Sequence, residues 1–328
     1  MTYDTGLRLD VHLDESVLDD ELRRDVRAGL SATPRWLSPR WFYDEAGSRL
    51  FERITELPEY YLYRSETEIL RRSVGEVAAL AGASVVVELG SGYSTKTRLL
   101  LDALAGPGDL RGIVTLDVSS AALRDAGEHL RARYPGVPLH AIVGDYTRHL
   151  PVVPEPPAGA RRLLVFLGST IGNLTPDERA SFLGRCATAL RPGEHFLLGT
   201  DLVKAEEIVQ PAYDDAAGVT AQFNRNILHV IRGRLGAAVT PEDFAHEAWW
   251  VAEEEWVQVA LRALRATRIT VPGLVDAAFA AGDRILTEIS AKFTPERIDT
   301  EIAAAGFDTT ARWFDRRGWF AVTLATRR

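Results

Sequence analysis

Short, continuous apolar runs recur through the middle of the chain and alternate with longer amphipathic stretches. The apolar runs are too brief for buried helices and favour strands. They lie at residues 84–88, 113–118, 139–143, 163–167 and 195–200. Helical spacing of apolar positions occurs between them, for example at residues 119–133 and 176–190. Because these strands lack strict alternation, both faces of their sheet are expected to be covered. The pattern predicts an α/β fold with a parallel sheet and helices on both faces.

The segments that flank this region follow other patterns. Residues 16–60 favour helices and turns, residues 206–230 favour helix, and residues 249–270 alternate like antiparallel strands. A strand-like run at residues 319–325 is expected to rejoin the sheet at its edge. We therefore predict two domains. The sheet domain takes residues 61–203 and 294–328, and a discontinuous second α+β domain takes residues 1–60 and 204–293.

Composition limits the classes of partner. The chain has 328 residues, of which 46% are hydrophobic and 26% charged, as is typical of a globular protein with a sizeable core. Its net charge is −8 and its densest basic clusters are isolated arginine pairs, so we expect no nucleic-acid partner. The amino terminus carries no long apolar run, which predicts a cytoplasmic protein without membrane association. The single cysteine, Cys186, is expected to be a buried thiol, and no obligate protein partner is evident.

The first predicted strand runs directly into a glycine turn, Gly90-Ser91-Gly92. Such glycines let the backbone bend tightly and approach a ligand, and the following helix offers free N–H groups. A dinucleotide fingerprint requires a third glycine where this chain has Thr95. Glu88 precedes the turn, and a carboxylate suits the cationic amino-acid end of S-adenosylmethionine. The loop favours this cofactor over a dinucleotide, with an NAD-dependent oxidoreductase and a ligand-free turn as alternatives.

Polar residues also end the next two strands. Asp117 ends the second strand and can accept hydrogen bonds from both hydroxyls of a ribose, although an aspartate there is also a common turn former or helix N-cap. Asp145 ends the third strand and can accept from an adenine amine, with Tyr146 placed to pack on the ring. Lys96, in the first turn after the glycine loop, is placed either to reach a cofactor carboxylate or to remain a solvated charge. Ligands of such sheets bind outside the carboxyl ends of the strands.

The fourth strand leads into the run GSTIGN at residues 168–173, where a transferred group would meet its acceptor. Asn173 carries a hydrogen-bond donor and an acceptor together. The next residues, Thr175 and Pro176, are explained as an N-cap and a first helical position. Local structure does not explain the GSTIGN run itself.

Several longer motifs join this run and together resemble one family. They are WFYD at 41–44, LPEYY at 57–61, ELGSG at 88–92, GSTIGN at 168–173, YDDAAGVT at 213–220, FNRN at 223–226 and TEISAKF at 287–293. With these motifs the chain strongly resembles the histidine-specific Nα-methyltransferases of ergothioneine biosynthesis. The resemblance extends from about residue 20 to the end of the chain. The resemblance implies a Rossmann-like class I methyltransferase sheet with a second, substrate-binding domain. It also implies S-adenosylmethionine-dependent trimethylation of L-histidine to hercynine.

The same resemblance implies two sets of site residues. The cofactor-binding set comprises Gly90, Ser91, Gly92, Lys96, Asp117, Asp145 and Tyr146. The substrate-binding set comprises Phe51, Tyr60, Gly168, Thr170, Asn173, Tyr213, Val259, Glu288, Ile289 and Ser290. Tyr60, Asn173 and Tyr213 would hold the backbone end of the amino acid, and Glu288 and Ser290 its imidazole. Tyr60 and Tyr43 are the catalytic candidates, as groups that orient the amine. No metal is required, and the histidines show no paired spacing of the zinc type.

Val259 departs from the family pattern, in which relatives usually carry a methionine. A shorter side chain leaves room for a larger ring such as indole. Glu288 argues for histidine, because a carboxylate is a poor neighbour for an apolar ring. An Nα-methyltransferase of tryptophan or another aromatic amino acid therefore stays as an alternative, and a non-catalytic binding scaffold as a second one.

Overall fold

The computed structural model describes residues 7–92, 96–106 and 109–328. These residues form two compact units. The first unit comprises residues 7–13, Leu62–Val203 and Lys292–Arg328, less the gaps at 93–95 and 107–108. The second unit comprises Asp14–Tyr61 and Lys204–Ala291, all of which are described. Residues 7–13 thus group with the sheet, whereas the sequence-based division put residues 1–60 in the other domain.

Strands and helices alternate through the first unit and segregate in the second. The strands of the described ranges are β1 (Leu7–Val11), β2 (Arg35–Trp36), β3 (Val85–Leu89), β4 (Gly112–Asp117), β5 (Leu139–Val143), β6 (Arg162–Phe166), β7 (His195–Asp201), β8 (Phe244–Val251), β9 (Trp256–Ala263), β10 (Thr267–Val271), β11 (Val275–Phe279), β12 (Arg284–Ala291), β13 (Phe307–Phe314) and β14 (Phe320–Arg327). The α-helices there are α1 (Glu15–Ser31), α2 (Glu45–Glu56), α3 (Tyr61–Ala81), α4 (Thr97–Ala105), α5 (Ser120–Arg133), α6 (Pro176–Ala189), α7 (Glu206–Val209), α8 (Val219–Leu235) and α9 (Pro295–Ala304).

The sheet of the first unit is mostly parallel. Its described strands lie in the order β1-β5-β4-β3-β6-β7-β14-β13, with only β14 and β13 antiparallel to their neighbours. The five strands predicted from apolar runs, β3 to β7, are confirmed to within one residue at each end. They are buried almost throughout, as expected of a covered parallel sheet. The α/β fold class is therefore confirmed.

Both edges of this sheet differ from expectation. The carboxyl-terminal strand β14 does not form the edge, because β13 pairs with its outer side. At the other edge β1 pairs in parallel with β5, Leu7 lying opposite Leu139. The sequence analysis missed β1 because its residues are only partly buried and include Arg8 and Asp10. An edge strand of mixed polarity carries no continuous apolar run.

The second unit packs α1, α2 and α8 around a core that reaches the sheet β2-β12-β9-β8 and the hairpin β10-β11. Its fully buried side chains come from all of these layers, for example Leu22, Ile227, Phe244, Leu261 and Ile285. Burial of such side chains contributes about 1.5–3 kcal/mol each and supplies most of the driving force for this arrangement.

The predicted helix at 206–230 is wrong in its middle. α7 ends at Val209, and α8 begins only at Val219. Pro211 lacks the N–H that a helix interior needs, and Asp215 accepts hydrogen bonds from the N–H groups of Val219 and Thr220 at 2.9 and 2.7 Å. The interruption leaves a turn between the two helices, and Tyr213 lies in it.

Candidate active site

The glycine turn after β3 is held by backbone hydrogen bonds. Gly90 and Gly92 both have positive φ, at 64° and 47°, which glycine adopts without strain. The N–H of Gly90 donates to the carbonyl of Leu116 at 2.8 Å. The ring of Tyr146 lies across the turn, since a Cβ added to Gly90 would lie 3.8 Å from Tyr146 Cε1. Thr95, which argued against a dinucleotide, lies outside the described residues.

Ser91 supports a polar ligand at this turn. Its hydroxyl is buried and has no hydrogen-bond partner among the described residues. A buried hydroxyl without a partner costs free energy, so a group that can bond to it stabilises the turn. The neighbouring Glu88 carboxylate accepts a hydrogen bond from the hydroxyl of Thr97. The residues of the turn therefore fit a polar nucleoside-containing cofactor.

Asp117 closes the turn from the neighbouring strand. One carboxylate oxygen accepts from the N–H of Gly92 at 2.8 Å and the other from the N–H of Ser119 at 2.9 Å. Ser119, not Asp117, is the N-cap of α5. Burial raises the pKa of the Asp117 carboxyl, while the backbone hydrogen bonds oppose that rise. A carboxylate has about four acceptor sites, so Asp117 retains capacity for hydroxyl donors.

Asp145 and Tyr146 follow β5. Asp145 accepts hydrogen bonds from the backbone and hydroxyl of Thr147 at 2.8 and 2.6 Å, which fixes its side chain. The Tyr146 ring packs on Phe166 and Phe182, with centroids 5.0 and 5.7 Å away. Burial raises the pKa of Tyr146, so its phenol stays neutral at physiological pH. This aromatic cluster offers a surface on which a flat ring can pack.

Lys96 forms an ion pair with Glu66, a carboxylate of α3 that is fully buried. Both oxygens of Glu66 also accept from the N–H of Gly168, at 2.8 and 3.0 Å. Gly199 makes room for this carboxylate, because a Cβ there would lie 1.9 Å from Glu66 Oε1. Lys96 is thus not the solvated charge of the alternative interpretation. The sequence analysis missed Glu66, since nothing in its local pattern distinguishes it from the other polar residues of α3.

The loop after β6 is built from backbone in an unusual conformation. Gly168 has φ of 78° and Ser169, which is not glycine, has φ of 57°. Non-glycine residues in this region cost roughly 1–3 kcal/mol and concentrate at functional sites. The Ser169 hydroxyl accepts from the N–H of Asp201 at 2.9 Å, and the Thr170 hydroxyl donates to the carbonyl of Leu167 at 2.9 Å. These bonds fix the loop that carries Gly168, Thr170 and Asn173.

In the second unit an aromatic cluster gathers three of the predicted residues. The rings of Tyr43 and Phe51 lie 5.6 Å apart, and those of Phe51 and Tyr60 lie 6.2 Å apart, both edge to face. Phe223 of α8 contacts the rings of Tyr43 and Phe51 at 5.3 and 5.9 Å. The family motifs at 41–44, 57–61 and 223–226 therefore meet here, although they are far apart in the chain.

A second group lies on β12 and β9. Alternation along β12 puts Glu288 and Ser290 on one face of the strand and Ile289 on the other. Val259 pairs directly with Glu288 across the two strands, so their side chains are neighbours. The Tyr213 hydroxyl lies 2.7 Å from the Ser290 hydroxyl, and both residues are buried. The departure from the family pattern thus lies beside the predicted imidazole ligand.

The described residues were also compared with the expectations for metal ions, membranes and the cysteine. Among them, no three His, Cys, Asp or Glu side chains are grouped closely enough to hold a metal ion. No helix in the same ranges is both long and apolar enough to span a membrane. Cys186 is buried, as predicted, and burial raises the pKa of its thiol.

A mostly parallel sheet with a glycine turn after β3 and aspartates at the carboxyl ends of the next two strands fits an S-adenosylmethionine-dependent methyltransferase. The model of one family, described as the histidine-specific, S-adenosylmethionine-dependent methyltransferases, matches residues 22–327. The chain belongs to this family. It is an enzyme with S-adenosylmethionine as its cofactor, and histidine is its substrate. The resemblance found in the sequence is thereby confirmed, and the oxidoreductase and non-catalytic alternatives are wrong.

Named relatives agree with the family. The chain is 50% identical to the histidine N-alpha-methyltransferase of Mycolicibacterium smegmatis, over 94% of this chain and 95% of the relative. It is 48% identical to the histidine N-alpha-methyltransferase of Mycobacterium tuberculosis, over 96% and 98%. It is 36% identical to the ergothioneine biosynthesis protein 1 of Schizosaccharomyces pombe, over 61% of this chain and 27% of that longer protein.

Proposed function

We propose that this enzyme transfers three methyl groups in succession to the α-amino nitrogen of L-histidine. The product is hercynine, and the reaction is the first step of ergothioneine biosynthesis. The observation that carries the choice of acceptor is the pair of Glu288 and Ser290 on one face of β12, with Tyr213 hydrogen-bonded to Ser290.

The imidazole needs a hydrogen-bond acceptor for its N–H and a partner for its other ring nitrogen. Glu288 supplies the acceptor and Ser290 the second partner. In the imidazolium form both ring nitrogens donate, so Glu288 accepts from one of them. Ser290 accepts from the other and donates its own proton to Tyr213, because either hydroxyl of the Tyr213–Ser290 pair can be the donor. Tyr213 then keeps its own proton for the carboxylate of the amino acid. One connected set of hydrogen bonds thus serves both ends of the substrate.

The candidate cofactor-binding residues bind and orient S-adenosylmethionine. Asp117 accepts from the ribose hydroxyls while it keeps its two backbone hydrogen bonds. Asp145 accepts from the adenine amine, and Tyr146 packs on the ring against Phe166. Gly90, Ser91, Gly92 and Lys96 complete this set. The cofactor supplies a methyl group on a sulfonium, which is already an electrophile.

The protein therefore has to supply alignment rather than strong acid–base chemistry. When S-adenosylmethionine is bound, the neutral amine would form a bond to its methyl carbon while the carbon–sulfur bond opposite breaks and S-adenosylhomocysteine leaves. Each of the first two additions would release a proton. Alignment in a near-attack geometry can account for about 7–11 kcal/mol of barrier lowering in good intramolecular models. Tyr43 and Tyr60 orient the amine. Asn173, with Gly168 and Thr170 in the loop after β6, holds the backbone end of the amino acid.

A mass-spectrometric assay tests the acceptor. Purified enzyme is incubated with S-adenosylmethionine and, separately, L-histidine, L-tryptophan or L-tyrosine. We expect a trimethylated product from histidine. Trimethylated tryptophan without trimethylated histidine would show that the acceptor is an indole, which the space beside Val259 would then explain.

Glu288→Ala tests the imidazole contact. Loss of a hydrogen bond to a charged group costs roughly 2–3 kcal/mol, so the KM for histidine should rise by about 30- to 150-fold. The dissociation constant of S-adenosylmethionine should not change. Glu253→Ala, which removes an exposed carboxylate from the turn between β8 and β9, is the matched control. An unchanged KM for histidine in Glu288→Ala would remove this residue from the site.

A further inference from the structure

Helix α8 carries two buried asparagines, Asn224 and Asn226, from the FNRN motif at 223–226. Buried amides are retained at a cost unless their hydrogen bonds are satisfied. Neither residue belongs to the predicted site. Each of them nevertheless connects to one of the tyrosines that the proposed function uses.

Asn226 holds the residues on both sides of Tyr43. Its amide nitrogen donates to the carbonyl of Phe42 at 3.0 Å and to Oδ1 of Asp44 at 2.7 Å. The same Asp44 oxygen accepts from the N–H of Gly47 at 2.8 Å and so caps α2. The residue before Tyr43 and the residue after it are thus tied to one side chain.

The packing at Gly47 shows how tightly this turn is closed. A Cβ at Gly47 would lie 1.7 Å from the Phe42 carbonyl oxygen and 2.8 Å from the amide nitrogen of Asn226. No side chain fits there. In addition, Phe223 of α8 contacts the Tyr43 ring at 5.3 Å, so α8 touches both the backbone around Tyr43 and its ring.

Asn224 reaches the other tyrosine through a histidine. Its amide nitrogen donates to the Ala260 carbonyl and to Nδ1 of His246, both at 2.9 Å. Nε2 of His246 donates to the backbone carbonyl of Tyr213 at 2.7 Å. Burial lowers the pKa of His246, which is consistent with a neutral ring whose Nδ1 accepts while its Nε2 donates. The hydroxyl of the same Tyr213 bonds to Ser290.

We propose that Asn226 and Asn224 are positioning residues for the methyl transfer: Asn226 sets Tyr43, and Asn224 acts through His246 to set Tyr213. One helix thereby fixes, relative to each other, the tyrosine that orients the amine and the tyrosine that binds the carboxylate. This inference rests on the roles that the proposed function gives to Tyr43 and Tyr213.

Crossed double-mutant cycles test it, because a residue that acts only through a tyrosine hydroxyl loses its effect once that hydroxyl is gone. Asn226→Ala should lower kcat/KM for histidine by about 5- to 100-fold, as expected from one buried hydrogen-bonded amide. In a Tyr43→Phe background the same change should cost less than about threefold, whereas in Tyr213→Phe its full effect should remain. Asn224→Ala should show the reverse pattern. The dissociation constant of S-adenosylmethionine should stay constant throughout.

Further variants separate positioning from folding. Gln222→Ala removes an exposed amide from the same helix and should change neither kcat nor KM. If Asn224→Ala fails to fold, His246 provides the second route. His246→Gln keeps an amide donor toward the Tyr213 carbonyl and should retain most activity, while His246→Ala should not.

Two failures are distinguishable. If Tyr43→Phe and Tyr213→Phe both leave the kinetics of histidine methylation unchanged, the roles of the tyrosines in the proposed function are wrong. If those variants are impaired but the effects of Asn226→Ala and Asn224→Ala are the same in every background, the two asparagines only stabilise the fold. The positioning role is then overturned while the proposed function stands.

Discussion

The two units hold their ligand-binding candidates by different means. In the first unit Gly90, Gly92 and Asp117 lie at neighbouring strand ends, and backbone N–H groups and carbonyls fix them. In the second unit Tyr43 and Tyr213 come from distant segments, and buried side chains fix them. When backbone hydrogen bonds of a sheet fix a residue, the side chains around it can be substituted without moving it. When one amide or imidazole fixes a residue, substitution of that amide or imidazole moves it. The difference predicts where substitution should do harm.

The strongest challenge to this contrast is Glu66, a buried carboxylate of the first unit that helps to hold the loop after β6. Glu66→Ala leaves Lys96 and the N–H of Gly168 without their buried acceptor. Removing one partner of a buried ion pair costs roughly 3–5 kcal/mol, and the free energy of unfolding should fall by that amount in urea denaturation. Glu68→Ala, which removes a partly exposed carboxylate from the same helix, is the control. A loss no larger than that of Glu68→Ala would mean that the loop is fixed without Glu66.

Asp117→Ala tests the candidate cofactor-binding residues at the strand ends of the first unit. The variant loses the acceptor for Gly92 and for the ribose hydroxyls, so the dissociation constant of S-adenosylmethionine should rise by about 10- to 150-fold. Calorimetric titration measures it, with Asp125→Ala on the exposed face of α5 as the control. The KM for histidine, measured at saturating cofactor, should stay within about twofold. A larger change in histidine affinity than in cofactor affinity would contradict the division of roles.

Val259→Met tests the candidate substrate-binding residues of the second unit. Val259 is buried and lies opposite Glu288, so a longer side chain takes space beside the substrate ring. A change of one or two methylenes in a pocket alters discrimination by about 10- to 200-fold at most. The ratio of kcat/KM for histidine to that for tryptophan should therefore rise by about tenfold. An equal loss on both substrates would place Val259 away from the ring.

The smallest expected effect concerns pH. Burial lowers the pKa of His246 below its ordinary value of 6.5, so below that pH the unfolded chain binds a proton that the folded protein does not. As far as His246 is concerned, the free energy of unfolding should be highest above pH 6.5 and should fall as the pH drops below that value. His246→Gln should make this fall shallower. His140, His149 and His195 also have lowered pKa values, so part of the slope should persist. An identical slope in wild type and His246→Gln would exclude His246 as a source.

Sequence patterns predicted the backbone-held region well, because hydrophobic periodicity and turn chemistry are local. The strands β3 to β7 and the start of α6 at Pro176 with its Thr175 cap follow from such signals. The polar ends of those strands then pointed to the cofactor without any knowledge of relatives.

The side-chain-held region could not be predicted in the same way. Tyr60, Tyr213 and Glu288 have no local pattern that separates them from surface or interfacial residues, so only the family resemblance singled them out. The resemblance did not single out the buried residues Glu66 and His246, which hold candidate site residues in place. Their importance lies in contacts with residues up to about a hundred positions away, which periodicity does not encode.

The carboxylate of Glu66 occupies the space in which Gly199 would otherwise have a side chain. This contact links two positions that are far apart in the gene, and it limits how the family can diverge. A lineage that gains a side chain at position 199 has to shorten or remove the residue at position 66, and it then has to replace the acceptor for Lys96. Among homologues, positions 66, 96 and 199 should accordingly change as a group rather than one at a time.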